Sequence, residues 1–288
     1  MNKLTNKENK KIWTLYNANL RTKTIVILVV AALLFFSIIL TSLFLNSDST
    51  LTINFANINQ PPSLEHIFGT DWMGRDMFTR TILGLGISIF VGMLTSLLTT
   101  VIAIVLGILS SINKVVDEAV ALVIDLFGSI PHILLIMLVS LAFGTGLYGV
   151  VMGIGLTHWT PLARVLRAEI KQIKATDYVK LSQQLGKSKW WIAKKHILPL
   201  VVSQVIVGLI LVFPHAIMHE ASISFLGFGL SPHEPAIGII LSEAMKYFSV
   251  GCWWLAVFPG LSLLLLVLIF DLIGENVHKL LDPQSANT

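Results

Sequence analysis

Six ionisable side chains lie in stretches otherwise apolar enough for a membrane interior: Asp125, His132, His158, His215, His219 and Glu220. An ionisable group at bilayer depth costs about 2.5–3.5 kcal/mol on insertion scales, so each of these needs a partner or a wet path. His215 and His219 are four residues apart, which places both imidazoles on one face of a helix. Two histidines at that spacing can hold a divalent metal. Three readings stand side by side: the histidines line a translocation path, they are hydrogen-bonded packing residues, or they ligate a metal. The path is the leading one, and no metal ligand is assigned.

Catalytic chemistry finds little footing. His219-Glu220 could open H-E-x-x-H, but Ile223 occupies the second histidine position. Gly186-Lys187-Ser188 echoes the end of a phosphate-binding loop, yet the glycine required five positions earlier is Leu181, and the context is helical. No serine stands in a nucleophile elbow with partners to activate it. The chain is therefore expected not to be an enzyme and to bind no cofactor of its own.

The elements that must position these residues follow from composition. Of 288 residues, 55% are hydrophobic and only 12% charged, against about 25% charged in soluble domains, and the mean hydropathy is +0.80. A disordered chain, a disulfide-stapled secreted domain (there is one cysteine, Cys252) and an ordinary soluble enzyme are excluded. Uncharged runs cover 24–47, 81–113, 126–163, 196–219 and 247–270. Each is long enough for a helix crossing about 30 Å of hydrocarbon. The third run supports two helices, one near 119–141 that carries Asp125 inward and one at 149–165, separated by a glycine-rich turn at 143–147. The expected fold is all-α with six transmembrane helices. Gly149 and Gly153 form G-x-x-x-G, a spacing for close helix packing within the subunit. Pro131, Pro161 and Pro214 are each expected to interrupt a helix.

Charge sets the orientation. With both termini cytoplasmic, seventeen Lys and Arg fall inside and three (Arg75, Arg80, Lys246) outside. Residues 1–23 form a basic cytoplasmic N-terminus, with 10–21 suited to an interfacial helix. Residues 24–45 form a retained first span rather than a cleaved leader, because the apolar run is too long and no small-residue cleavage site follows it. An extracytoplasmic segment occupies 46–80, the main transmembrane domain 81–278 and a cytoplasmic tail 279–288. Within the domain, about 166–198 forms a charged cytoplasmic loop. Tyr178, Leu181, Ser182 and Leu185 share a helical face there, Gly186 permits a bend, and Trp190 and Trp191 follow. Two tryptophans are out of place in a solvated linker, so this loop reads as a docking surface.

Ordered motifs carry a resemblance over about 20–284. The loop reads Asp177-Tyr178-Val179, Leu185-Gly186-Lys187-Ser188 and His196-Ile197-Leu198-Pro199, with Trp159-Thr160-Pro161 through Glu169 upstream. It resembles the E-A-A-x-x-x-G coupling loop of ABC importer permeases. Phe68-Gly69-Thr70-Asp71-Trp72-Met73-Gly74-Arg75-Asp76 is similar to the F-G-T-D-x-x-G-R-D signature of the C-type permeases of dipeptide, oligopeptide and nickel importers. Glu220-Ala221-Ser222-Ile223-Ser224-Phe225-Leu226-Gly227-Phe228-Gly229 and Leu281-Asp282-Pro283 also fit that family. One departure stands out: Lys180-Leu181-Ser182 occupies the E-A-A position, so a family glutamate that meets a basic ATPase residue is reversed in sign.

The resemblance implies a five-helix core, about 84–274, with the first helix added and wrapped on a neighbour. It implies a heterodimer with a second permease, two ATPase subunits that use ATP and Mg, and an extracytoplasmic solute-binding protein. Asp177, Tyr178, Lys180, Leu185, Gly186, Trp190, His196 and Pro199 would couple to an ATPase. Gly69, Asp71, Gly74, Arg75 and Asp76 would form an extracytoplasmic motif. The family covers peptides, nickel and metal chelates such as opine metallophores. The four intramembrane histidines tilt the expectation toward a metal ion or metal chelate, with di- or oligopeptides as the alternative. A stand-alone channel or secondary transporter is the reading of a different class, and it would need no ATPase-docking loop.

Overall fold

The computed structural model describes residues 2–45 and 52–281, with side chains placed for 22–45, 52–188 and 190–280. The side chains before residue 22, and Asp282-Pro283, lie outside the described residues. The described chain is helical without a strand, apart from an isolated bridge between Thr70 and Asp76. In order, the helices are α1 (Asn2–Phe44), α2 (Met77–Leu109), α3 (Lys114–Ser129), α4 (His132–Phe143), α5 (Leu147–Gly155) and α6 (Thr160–Ala175). They continue with α7 (Asp177–Gln184), α8 (Lys189–Ile192), α9 (Leu198–Phe225), α10 (Ile237–Phe248) and α11 (Trp254–Leu281). A short 3-10 turn covers Phe55–Asn57, and a π-helical turn covers Ala193–Ile197.

Four helical stretches are long and apolar enough to span a membrane: Thr22–Phe44, Met77–Leu109, Trp190–Phe225 and Trp254–Leu280. These correspond to four of the expected spans. The remaining two expected spans, 119–141 and 149–165, do not form as straight helices. The first is broken between α3 and α4, which meet at 99°. The cause is local: Pro131 clashes with a helical residue before it, and Ile130 accordingly sits in the extended region at φ −96°, ψ 137°. The pair counts as a fifth span only if the bent segment is taken as one. The second is split by a turn at 156–159 into α5, only 9 residues long, and α6, where Pro161 occupies the first turn and needs no N–H partner. Pro214, by contrast, is absorbed inside the single helix α9.

Three apolar clusters hold the bundle together. The first joins the ends of α2, α3 and α6 to the loop helices through Ala103, Ile124, Leu166, Ile170, Val179 and Val201. The second joins α2, α9, α10 and α11 through Leu85, Phe213, Ile217, Ile240 and Leu266. The third packs α4 and α5 on α2 and α9 through Val91, Ile136, Ile154 and Ala216. Close approach of α5 to α4 rests on the G-x-x-x-G pair. A Cβ on Gly149 would sit 1.7 Å from the Gly144 carbonyl oxygen, and one on Gly153 would sit 2.9 Å from that of Ile136. The motif therefore packs within the chain. Helix α1 also packs on its own chain, through Phe35 edge-on to Phe213 and Phe270. Between Ile25 and Phe44 the surface it leaves uncovered is largely apolar, as lipid contact requires.

Candidate functional site

Three regions carry the residues singled out by the sequence, and they lie at distinct levels along the bundle. Helix α2 has 33 residues, about 50 Å at 1.5 Å per residue, with the 52–76 segment at its start and the 176–197 loop packed near its end.

At the first end, the Gly69–Asp76 motif is an inward-facing clamp rather than an exposed face. Asp71 is 2% exposed. Its Oδ1 accepts hydrogen bonds from the backbone N–H groups of Met73 (2.8 Å) and Arg75 (2.9 Å). Its Oδ2 accepts from Arg75 Nε (2.7 Å) and Arg80 Nη1 (2.9 Å). Arg80, 3% exposed, reaches Glu243 of α10 with its other nitrogen at 2.6 Å. Arg80 thus ties the loop to α2 and α10. Asp76 caps α2 by accepting from Thr79 N–H and meets His66 Nδ1 at 3.0 Å. The glycines fit tight turns: Gly74 has φ +74°, and a Cβ there would lie 1.8 Å from the Asn54 carbonyl oxygen. Burial turns the charges of Asp71 and Arg80 toward Arg75 and Glu243, so the motif holds the segment together and offers little of that charge to solvent. Glu243 was not singled out from the sequence. Its signal is a lone carboxylate in the apolar run of α10.

In the middle of the bundle the histidines converge, but not as the local spacing suggests. His132 begins α4 beside the Pro131 break, His158 sits in the turn between α5 and α6, and His219 lies on α9. One nitrogen from each of the three falls within 4.8 Å of the others. His132 Nε2 and His158 Nδ1 are 2.9 Å apart. Ring centroids are 4.8 Å apart for His132 and His219, and 5.0 Å for His158 and His219. His215, the expected partner of His219, stands at the rim, exposed, with its ring 6.0 Å from His158. Two helix breaks, and not the i,i+4 spacing, assemble the cluster. Leu211, His215, Met218 and Phe225 are exposed along one side of α9, with Ser222 half-buried among them. A histidine and a serine on that side suit a polar path or a protein neighbour better than lipid.

The two carboxylates do not join the histidines. Glu220 is 0% exposed and turns to the opposite side of α9, where Ser88 Oγ donates at 2.6 Å and Ser224 Oγ at 2.9 Å. Those hydroxyls provide the partners that a buried carboxyl needs, so Glu220 fastens α9 to α2 instead of lining a path. Asp125 is exposed on α3 and faces Arg164 at 3.4 Å.

At the second end, α7 and α8 form two short helices around Gly186, whose φ is +74°. His196 fixes their relative placement. Its ring packs edge-on against Tyr178 and Trp191, and its Nε2 lies 3.0 Å from Ser182 Oγ. Lys187 sits over the Trp191 ring at 5.2 Å. Lys180 faces Asp177 at 3.4 Å, both exposed. Pro199 lies in the first turn of α9. Val179, Ile192 and Ile197 are buried against α6 and α9, while Tyr178, Leu181, Leu185 and Trp190 point outward, Leu185 at 70% and Trp190 at 77% exposure. An ionic knot missed from the sequence braces this end: Asp117 of α3 receives Arg167 and Lys171 of α6.

Apolar spans, polar groups gathered between them and a rigid helical loop at one end define a multi-pass membrane transport subunit. Residues 99–283 match the family of binding-protein-dependent transport system inner membrane components, and the chain belongs to that family. It is a permease subunit of an ABC importer. It is 30% identical to the oligopeptide transport system permease protein OppC of Bacillus subtilis, over 96% of this chain and 92% of that one. It is 31% identical to the dipeptide transport system permease protein DppC of the same species, over 84% of this chain and 76% of that one. The glutathione transport system permease protein GsiD of Escherichia coli is 32% identical over 82% of this chain and 78% of its own. Among solved structures, the inward-facing MetNI methionine ABC transporter shares the fold, with a TM-score of 0.59 and 17% identity, over 72% of this chain and 98% of that one.

Proposed function

We propose that this subunit pairs with a second permease and carries a peptide-class ligand, delivered by a solute-binding protein, through a path that two partner ATPases open and close. The observation that carries the coupling role is the loop around Gly186. Its inner side is packed into the bundle, while Tyr178, Leu181, Leu185 and Trp190 stay uncovered. Large apolar and aromatic groups grouped on one exposed face mark a protein interface. The relatives named for dipeptide, oligopeptide and glutathione transport support the peptide class. The metal-chelate expectation gains no support from those names. The bias of seventeen Lys and Arg against three, counted for an even number of crossings, supports a cytoplasmic location for both termini.

In this reading, ATP and Mg are bound and used by the partner subunits. Closure of the ATPases pushes on α7 and α8, and α6 and α9, packed on them, transmit the tilt. A ligand shifts such an equilibrium only by its differential affinity for the two states.

Replacing Trp190 with alanine tests the docking face. Its exposure means the isolated subunit should keep its stability within about 0.5 kcal/mol. Loss of an aromatic anchor costs about 2 kcal/mol of binding, roughly thirtyfold in affinity. ATPase copurification in mild detergent should therefore fall sharply while the melting temperature holds. Full retention of the ATPase would remove this face from the interface. Uptake of labelled dipeptides by the reconstituted complex tests the substrate class.

A further inference from the structure

We propose that His132, His158 and His219 bind a divalent transition-metal ion of the zinc, nickel or copper class. Three nitrogens bound to one ion at 2.0–2.1 Å with tetrahedral angles lie about 3.3 Å apart. Here the three candidate nitrogens lie within 4.8 Å of one another, and the closest resolved pair is at 2.9 Å. Displacements of about 1 Å per nitrogen, a size that side-chain rotation can supply, would complete the site.

The three side chains come from separate elements: the start of α4, the 156–159 turn and α9. Packing alone gives a weak account of their meeting. A neutral imidazole has one donor and one acceptor, and hydrogen bonding within the cluster joins only His132 and His158. The His219 ring has no hydrogen-bond partner among the described residues. All three rings are partly exposed, so an ion can enter and one or more coordination positions stay open.

The donor set also selects the ion. Asp125 is turned to Arg164 and Glu220 to Ser88 and Ser224, so no carboxylate reaches the cluster. Imidazole nitrogens without oxygen donors suit zinc, nickel and copper and leave calcium and magnesium unserved. Three neutral ligands leave the ion's double positive charge uncompensated. The open positions are thus suited to an anionic co-ligand such as a carboxylate.

The test is nickel titration of the purified full-length chain in detergent, followed by calorimetry, with calcium and magnesium in parallel. One nickel per chain is expected, with no saturable binding of calcium or magnesium. Each of His132→Ala, His158→Ala and His219→Ala should weaken nickel binding at least tenfold. His233→Ala, an exposed residue between α9 and α10, should leave it unchanged. X-ray absorption at the nickel edge of the unmodified protein provides a reading that needs no variant, and it should show three imidazole nitrogens near 2.0–2.1 Å. Binding that persists in the triple alanine variant, absence of stoichiometric binding, or an oxygen-only nickel shell would overturn the proposal.

Discussion

Replacing Arg80 with alanine should destabilise this protein by about 3–5 kcal/mol, because it removes a buried cation that two carboxylates share. Arg80 is 3% exposed and bridges Asp71, 2.9 Å away, to Glu243, 2.6 Å away. Without it, Arg75 is the remaining cation of the clamp. It already serves Asp71 and approaches Glu243 at only 3.7 Å. One cation then faces two acids in a place water barely reaches. A loss of this size is a large share of the stability of most domains, so the variant should accumulate poorly and melt many degrees lower in detergent. Adding Glu243→Gln to Arg80→Ala should recover part of the loss, since it removes the orphaned charge. If Arg80→Ala melts with the unmodified protein, the clamp does not hold the loop to α10.

At the other end of the bundle, Gly186→Val should uncouple ATP hydrolysis from transport while Gly186→Asn should not. Gly186 has φ +74° with open space around a notional Cβ, so the cost of a side chain there is one of backbone conformation alone. That left-handed region costs an ordinary L-residue about 1–2 kcal/mol; asparagine tolerates it, and a β-branched valine does not. Valine should drive the turn to a different angle and misalign α8 with α7, and so tilt the Trp190 face away from its partner. A penalty of about 2 kcal/mol on the docked geometry corresponds to roughly thirtyfold loss of coupled uptake. The readout is uptake per ATP hydrolysed in the two variants. Equal ratios would show that the bend is not needed in its present shape.

Both predictions depend on contacts that sequence patterns reveal unevenly. The spans at Thr22–Phe44, α2, α9 and α11 were legible because length and lack of charge suffice for a helix in lipid. The α3–α4 region was not, since a proline in the sequence marks a break without its angle, and 99° removes a straight span. The outer motif was legible as a motif, but its burial depends on Glu243, far along the chain on α10. The helical form of the loop is legible because its signals are local: a shared helical face, a glycine and adjacent tryptophans. His215 and His219 were paired by helical spacing. The actual cluster draws on two helix breaks that bring His132 and His158 to His219, and tertiary approach of that kind leaves no periodic trace.

The claim that this chain is the permease of an ATP-driven peptide-class importer is tested most directly by transport. The full complex, with both permeases, both ATPases and the solute-binding protein, would be placed in liposomes with ATP and Mg on the ATPase side and labelled dipeptides with the binding protein on the other. Accumulation that requires ATP and the binding protein, and that falls at least tenfold with Gly186→Val, is the expected result. Accumulation that proceeds at the same rate without ATP would contradict it.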